Sequence, residues 1–340
     1  MKKLILSVGI GLIAGSVSAQ VVNSTLIHVN EGAVLSLGSS VVNNGEISNN
    51  GKVILKGDLT NNAKISSKGD MVFNGNSTQE INGSEKLEVS RISVENDINI
   101  KSSVKVNESI NFQRGIVTTE DAVLSLGENA KYSGASDISH VAGSMQKSGV
   151  GSFDFPVGDG ATLRSFEVKN LKGNTVEAKY VARNPMDVST ELDYNMEEIN
   201  QTEYWVLSTA NNADLDVKLS DNSDVAYLKG GVWVKSKKGF NASNGVSFTS
   251  GKGKNIVPEI GVWPNPTYGE FNLKLTGMRD TDNITVEIVN LDGRKVMSME
   301  GTVQQLRKAY SLPKGLVTTN LTIRVVNGEE AMTQNLILHR

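Results

Sequence analysis

A chain of 340 residues holds two or three domains at the usual domain size. Its net charge of −3 argues against nucleic acid as a partner, since binding DNA or RNA needs a concentrated cationic face. It has no cysteine, and His28, His140 and His339 stand far apart, so no disulfide, His/Cys metal centre or other cofactor is expected.

The first residues carry an address. Lys2 and Lys3 precede an apolar run from Leu4 to Ala14 that is too short to span a bilayer, and small residues stand at Val17 and Ala19. This pattern predicts a secretory signal over 1–19, cleaved between Ala19 and Gln20, and entry into the periplasm.

Residues 20–139 are rich in Asn, Gly, Ser and Val. "VVNNGEISNNGKVILKG" (41–57) aligns without gaps on "LTNNAKISSKGDMVFNG" (59–75), placing Asn43 on Asn61, Ile47 on Ile65, Gly51 on Gly69 and Leu55 on Phe73. A second echo is "EGAVLSLG" (31–38) against "EDAVLSLG" (120–127). Units that repeat at a fixed period and cannot bury their own apolar face predict stacked coils, a β-solenoid. At strand spacing, equivalent asparagines would meet and form amide ladders. An Asn/Gly-rich antiparallel sandwich is the alternative.

From His140 the texture changes. "NTVEAKYVA", "TEYWVLS", "LDVKLSD", "GVWVKS" and "GVSFTS" are short alternating runs between turns, which predicts an antiparallel β-sandwich over 140–257. This sandwich would cover the end of the solenoid. "GDG" (158–160) lacks the spacing and lysine of a phosphate loop and reads as a turn. Asp214, Asp216, Asp221 and Asp224 lack the spacing of a calcium loop, and Trp205 and Trp233 read as core.

"SGKGKNIVPEIG" (250–261) reads as a linker, and 258–340 as a small Ig-like β-sandwich. Phe271, Leu273 and Leu275 share one face of "EFNLKL", as Ile284, Val286 and Ile288 do in "NITVEIVN". Pro264 and Pro266 in "VWPNPTYGEF" remove two backbone donors, so that turn belongs at an edge or outside the sheet.

This last region resembles the C-terminal sorting domain of proteins exported by the type IX secretion system of Bacteroidota. The family's opening turn is matched by Trp263, Pro264, Asn265, Pro266, Gly269 and Phe271. Its second motif is matched by Val286, Ile288, Asn290, Gly293, Arg294 and Val296, and its third by Leu312, Pro313 and Gly315, before an apolar strand ending in Arg340. The sequence departs from the pattern after Gly315, where the usual tyrosine is missing, and at Asn335, where a lysine is common. The resemblance implies that the type IX machinery recognises 258–340 and carries the chain across the outer membrane, releasing it or attaching it to surface lipopolysaccharide. The earlier regions resemble the Asn/Gly-rich passenger repeats and the β-sandwich modules of such exported proteins.

The expectation is therefore an all-β, non-catalytic protein, secreted or held on the outer-membrane surface, whose repeat region is adhesive or structural. Two rivals are a module binding extracellular glycans through exposed aromatics, and a polysaccharide-active β-helix enzyme. The enzyme would need converging carboxylates, yet Asp58, Asp70, Asp97 and Asp121 occupy no matched positions in the repeat.

Overall fold

The computed structural model describes residues 20–211, 214–254, 256–328 and 330–340. The expected signal segment, Ala19 included, lies outside them; Gln20 opens the first described strand. Nearly every element is a strand.

Alternating residues and tight Asn/Gly turns make short strands, and these stack in parallel into a three-faced solenoid of about six turns. On the first face Gln20–Asn23, Ser40–Asn43, Leu59–Asn61, Gln79–Asn82 and Ile98–Ile100 pair in succession. On the second, Leu26–Val29 pairs with Glu46–Asn49, which pairs with the start of Ile65–Phe73. On the third, Val34–Leu37 pairs with Lys52–Leu55, which pairs with the end of that same long strand. Leu87–Val94 and Val104–Phe112 likewise run across the second and third faces.

The repeat read from sequence is the stacking register. Val41 pairs with Leu59, Asn43 with Asn61, Ile47 with Ile65, and Leu55 with Phe73. The second echo is not structural: Leu35 faces Val53 on the third face, whereas Leu124 faces Val104 on the second. An alternating apolar run fits any face of such a solenoid, so its recurrence carries no register.

Inside, apolar columns fill the coil. Val41, Leu59, Ile81 and Ile100 form one; Leu55, Phe73, Val94 and Phe112 form another, all buried. Each such side chain contributes roughly 1.5–3 kcal/mol of burial. The matched glycines have a steric cause. A Cβ on Gly69 would lie 2.0 Å from the carbonyl oxygen of Gly51, and one on Gly51 2.3 Å from that of Ala33.

The asparagines form the expected ladder. Buried Asn23 donates from Nδ2 to Oδ1 of Asn43 (2.8 Å), and buried Asn43 donates to Oδ1 of Asn61 (2.9 Å). Their neighbours repeat the arrangement outside, where Asn62 donates to exposed Asn44 at 3.0 Å.

The solenoid ends by changing pairing mode. Val141–Gly149 runs parallel to Val117–Leu126 on one side and antiparallel to Asn174–Val181 on the other. Asn174–Val181 then pairs with Tyr204–Thr209, and that strand with residues 246–248. A smaller antiparallel sheet joins Phe153–Phe155, Phe166–Val168 and Val217–Leu219. Aromatic contacts run without a break from Phe112 through Tyr132, Phe153, Phe155 and Phe166 to Trp205 and Phe248. One hydrophobic core extends from Val29 to Phe248.

A second compact unit comprises Glu191–Ile199, Val232–Lys235 and Gly251–Arg340. Within it, two antiparallel sheets form a sandwich. Glu259–Trp263, Glu270–Thr276 and Ala309–Ser311 make one. Lys295–Thr302, Asn283–Asn290, Thr319–Asn327 and Glu330–Leu338 make the other. Phe271, Leu273, Leu275, Ile284, Val286, Ile288, Leu321, Ile323 and Val325 meet between them, on the faces that alternation assigns.

Candidate functional site

The motif residues of the C-terminal sandwich converge on one end of it. Glu259–Trp263 and Glu270–Thr276 form a hairpin whose connection is the Pro-Asn-Pro turn, and both X–Pro bonds in it are cis. With two prolines the turn has few backbone donors, and side chains do the joining. Asn265 acts as a surrogate strand residue: its Nδ2 donates to the carbonyl of Asn335 and its Oδ1 accepts from the amide of Ile337, each at 2.8 Å.

Thr267, fully buried, continues the clasp. Its amide donates to the carbonyl of Ile337, and its carbonyl accepts from the amide of His339, both at 2.8 Å. Its hydroxyl donates to the carbonyl of Glu270 and accepts from the amide of Gly269. Gly269 has φ +124°, and its carbonyl accepts from the amide of Leu312 at 2.7 Å. Phe271 anchors the following strand in the core, stacked on Tyr310 at 5.6 Å.

The other motifs reach the same last strand. Arg340 directs its guanidinium to the carbonyls of Pro313 (3.0 Å) and Lys314, while its amide and carbonyl bond Thr318 Oγ1 at 2.9 and 3.0 Å. Asn290 and Gly293 form the hairpin turn. Asn290 Oδ1 accepts from the amides of Asp292 and Arg294, and Gly293 takes φ +76°. Asn290 pairs with Leu321, and Leu321 with Leu336, which brings this turn to the same end.

Not every motif position makes a comparable bond. The Trp263 side chain is half exposed, and a Cβ on Gly315 would meet nothing within 4 Å, so nothing in the structure requires glycine there. Thr267 is the functional residue that motif reading passed over. Its signal was a small hydroxyl residue held between a proline and an obligatory turn.

Elsewhere, polar residues of interest bond within the fold. Asp58 accepts from Ser40 and the amide of Glu80, Asp70 pairs with Arg91, and Asp97 accepts from the amide of Ile116. His140 is buried, its Nδ1 bonded to the carbonyl of Ser136 and its Nε2 to the amide of Gly160, so the ring is held within the fold. Asp159 of "GDG" accepts from the amides of Ala161 and Thr162, which hold its carboxyl below the usual range. Trp205 and Trp233 are buried. Among the described residues there is no group of three or more metal-ligating side chains, and no helix long and apolar enough to cross a membrane.

A groove of about 620 Å³ on the solenoid is lined by Lys64, Lys68, Lys86, Glu85 and Glu88. There Glu88 lies 2.9 Å from Lys105 and 3.3 Å from Lys86, and these cations with Asn107 lower its pKa to about 2. A cavity of about 220 Å³ is bordered by Arg164, Glu203, Trp205, Ser165, Ser220 and Ser250. Glu203 pairs with Arg164 at 3.2 Å and accepts from Tyr180 Oη at 2.8 Å.

Among curated proteins, none matches the chain. Solved structures with some likeness include a β-glucuronidase from Faecalibacterium prausnitzii (8% identity, 58% of this chain and 46% of that one, TM-score 0.20). Another is a β-glucuronidase from an uncultured Clostridium sp. (8%, 58% and 45%, TM-score 0.20). The chain spans less than half the length of either, and the likeness is too slight to carry an argument. Residues 261–338 match the family described as the secretion system C-terminal sorting domain. That span contains every motif residue clasped onto the last strand, and this chain therefore carries a type IX secretion sorting domain, the tail that directs a protein across the outer membrane.

Proposed function

We propose that the chain is a non-catalytic passenger of the type IX machinery in a Bacteroidota cell, with an adhesive or structural role in the medium or on the surface. The observation that carries this reading is a sorting domain following a polar solenoid whose outer faces bear cross-coil ion pairs. Lys101–Glu80 and Lys105–Glu88 are examples. Such a surface is extended, repetitive and stiff, suited to multivalent contact. After transport the domain is removed in the short connection between the strands Val246–Gly253 and Glu259–Trp263, which is all that remains of the linker expected over 250–261, and the passenger is released or joined to lipopolysaccharide.

The test follows the chain's own end. Wild type and a chain stopping at Val257 are compared in periplasm, surface and medium, and the last residue of each product is read by mass spectrometry. Wild-type product ending near 250–261 outside the cell, with the shortened chain held in the periplasm, supports the reading. Equal export of both chains would sink it. Cell adhesion is then scored with and without the exported passenger.

Glycan binding is a second reading, favoured by the cavity where Arg164, Glu203 and three serines surround the edge of Trp205. Charged and hydroxyl groups beside an aromatic edge suit a sugar's hydroxyls and apolar face. Glycan-array binding that disappears with Glu203→Gln would support it.

A further inference from the structure

The first coil of the solenoid differs from every later one in how it meets solvent. Among the described residues, Gln20–Asn23, Leu26–Val29 and Val34–Leu37 each pair on one side only. Three adjacent edge strands therefore present free backbone donors and acceptors. The core is open there too. Val21, Ile27, Leu35 and Leu37 are partly buried, whereas their partners one coil on, Val41, Ile47, Val53 and Leu55, are at most 4% exposed. Val22, Leu26 and Val34 add apolar side chains at the rim, each more than half exposed.

Edge strands are normally protected by lysines, prolines or bulges. Residues 20–38 contain no Lys, Arg, Pro or Asp and a single Glu, Glu31. Later coils are dense in charge, with Lys64, Arg91, Lys101 and Lys105 each in a cross-coil ion pair. A neutral, apolar coil with unpaired strands is chemically the same surface as an internal coil–coil contact.

We propose that this coil is a self-association surface, and that its partner is the first coil of a second copy of the chain. The inference rests on the expected removal of residues 1–19, which leaves Gln20 at the start of the first edge strand. Self-pairing meets no like-charge penalty, because the coil is nearly uncharged. It also closes at two. The opposite end of the solenoid is occupied, since Val141–Gly149 is covered by Asn174–Val181 and the inner position in line with Leu126 is filled by Lys147. Lys147 is buried and donates to the carbonyls of Gly127, Glu128 and Ser148 at 2.6 to 2.7 Å. Head-to-tail stacking is thereby blocked, and the one remaining arrangement is head to head about a two-fold axis, with the paired strands antiparallel.

The experiment uses the chain from Gln20 to Arg340 in sedimentation velocity over a concentration series, with Leu35→Lys as the disrupting variant and Ser36→Lys as its outward-facing control. A dimer is expected, with its dissociation constant raised at least about tenfold by Leu35→Lys and little changed by Ser36→Lys. The chain has no cysteine, so single reporters are clean. Leu26→Cys should crosslink between copies under mild oxidation, and Ser148→Cys should not. A monomer at every concentration overturns the proposal. So does a dimer that crosslinks through Ser148, or one formed only by chains retaining residues 1–19. If Leu35→Lys loses its circular dichroism, the crosslinking pair decides alone.

Discussion

Asn43 and Asn44 sit side by side in the sequence, one inside the solenoid and one outside, and the pair separates ladder energetics from composition. Asn43 is fully buried; it accepts from Asn23 and donates to Asn61 Oδ1 and, at 3.3 Å, to the carbonyl of Ala63. Asn43→Ala removes a partner from all three. Asn23 keeps the carbonyl of Glu46, but Asn61 Oδ1 loses its ladder donor. A buried polar group left unsatisfied costs about 1–3 kcal/mol, so the sum is about 2–4 kcal/mol. With a urea slope near ~2 kcal/mol/M, the midpoint should fall by about 1–2 M. Asn44 is exposed, and Asn44→Ala should cost less than about 0.5 kcal/mol. Far-UV circular dichroism in a urea series reads both variants, because the strands themselves report. Midpoints agreeing within error would show that the buried amides merely occupy space, and the ladder argument would be wrong.

Asn265→Ala breaks both bonds to the last strand and should loosen the tail by about 1–2 kcal/mol, raising amide exchange at Ile337 and lowering export of the full chain. Thr267→Val keeps the shape but strips the hydroxyl from Glu270 and Gly269; a tail melting within a degree of wild type would contradict its assigned role. Lys147→Met takes the ammonium from the carbonyls of Gly127, Glu128 and Ser148, of which Gly127's keeps the amide of Ala130, and should cost about 1–2 kcal/mol in the same urea series, even though burial lowers the lysine's pKa and disfavours its charge. Glu88, with its pKa lowered to about 2 from 4.5, stabilises the fold above pH 4.5 and loses that contribution as pH falls toward 2. Solvent screening keeps the effect below about 1 kcal/mol, and Glu88→Gln should flatten the acid limb of the stability profile by that amount.

Where the sequence repeats without gaps, the structure was legible to the residue: the Val41–Leu59 and Leu55–Phe73 pairings are the alignment itself. Legibility fades after Phe73 because the turns change length. Leu59 pairs with Ile81 and Met71 with Ile92, and the register shifts between Val89 and Arg91, so no fixed offset survives although the columns do. The change of pairing mode at Val141–Gly149 was hidden for a different reason. An alternating strand reads the same whether its neighbours are parallel or antiparallel. In the tail, the motifs were readable one by one, but their meeting was not. Asn265 and Asn335 are 70 residues apart, and no local period encodes a contact at that distance.

The clasp of Asn265 and Thr267 onto residues 335–339 has a temporal consequence. The turn is synthesised early in the domain, and the strand that completes it late. A chain stopped anywhere between Phe271 and Asn335 would hold every residue of the opening motif, yet its Asn265 amide would have no strand to grip. An export apparatus reading this end of the sandwich would thus test for a finished product, and prematurely terminated chains would be refused for lacking a surface rather than a sequence.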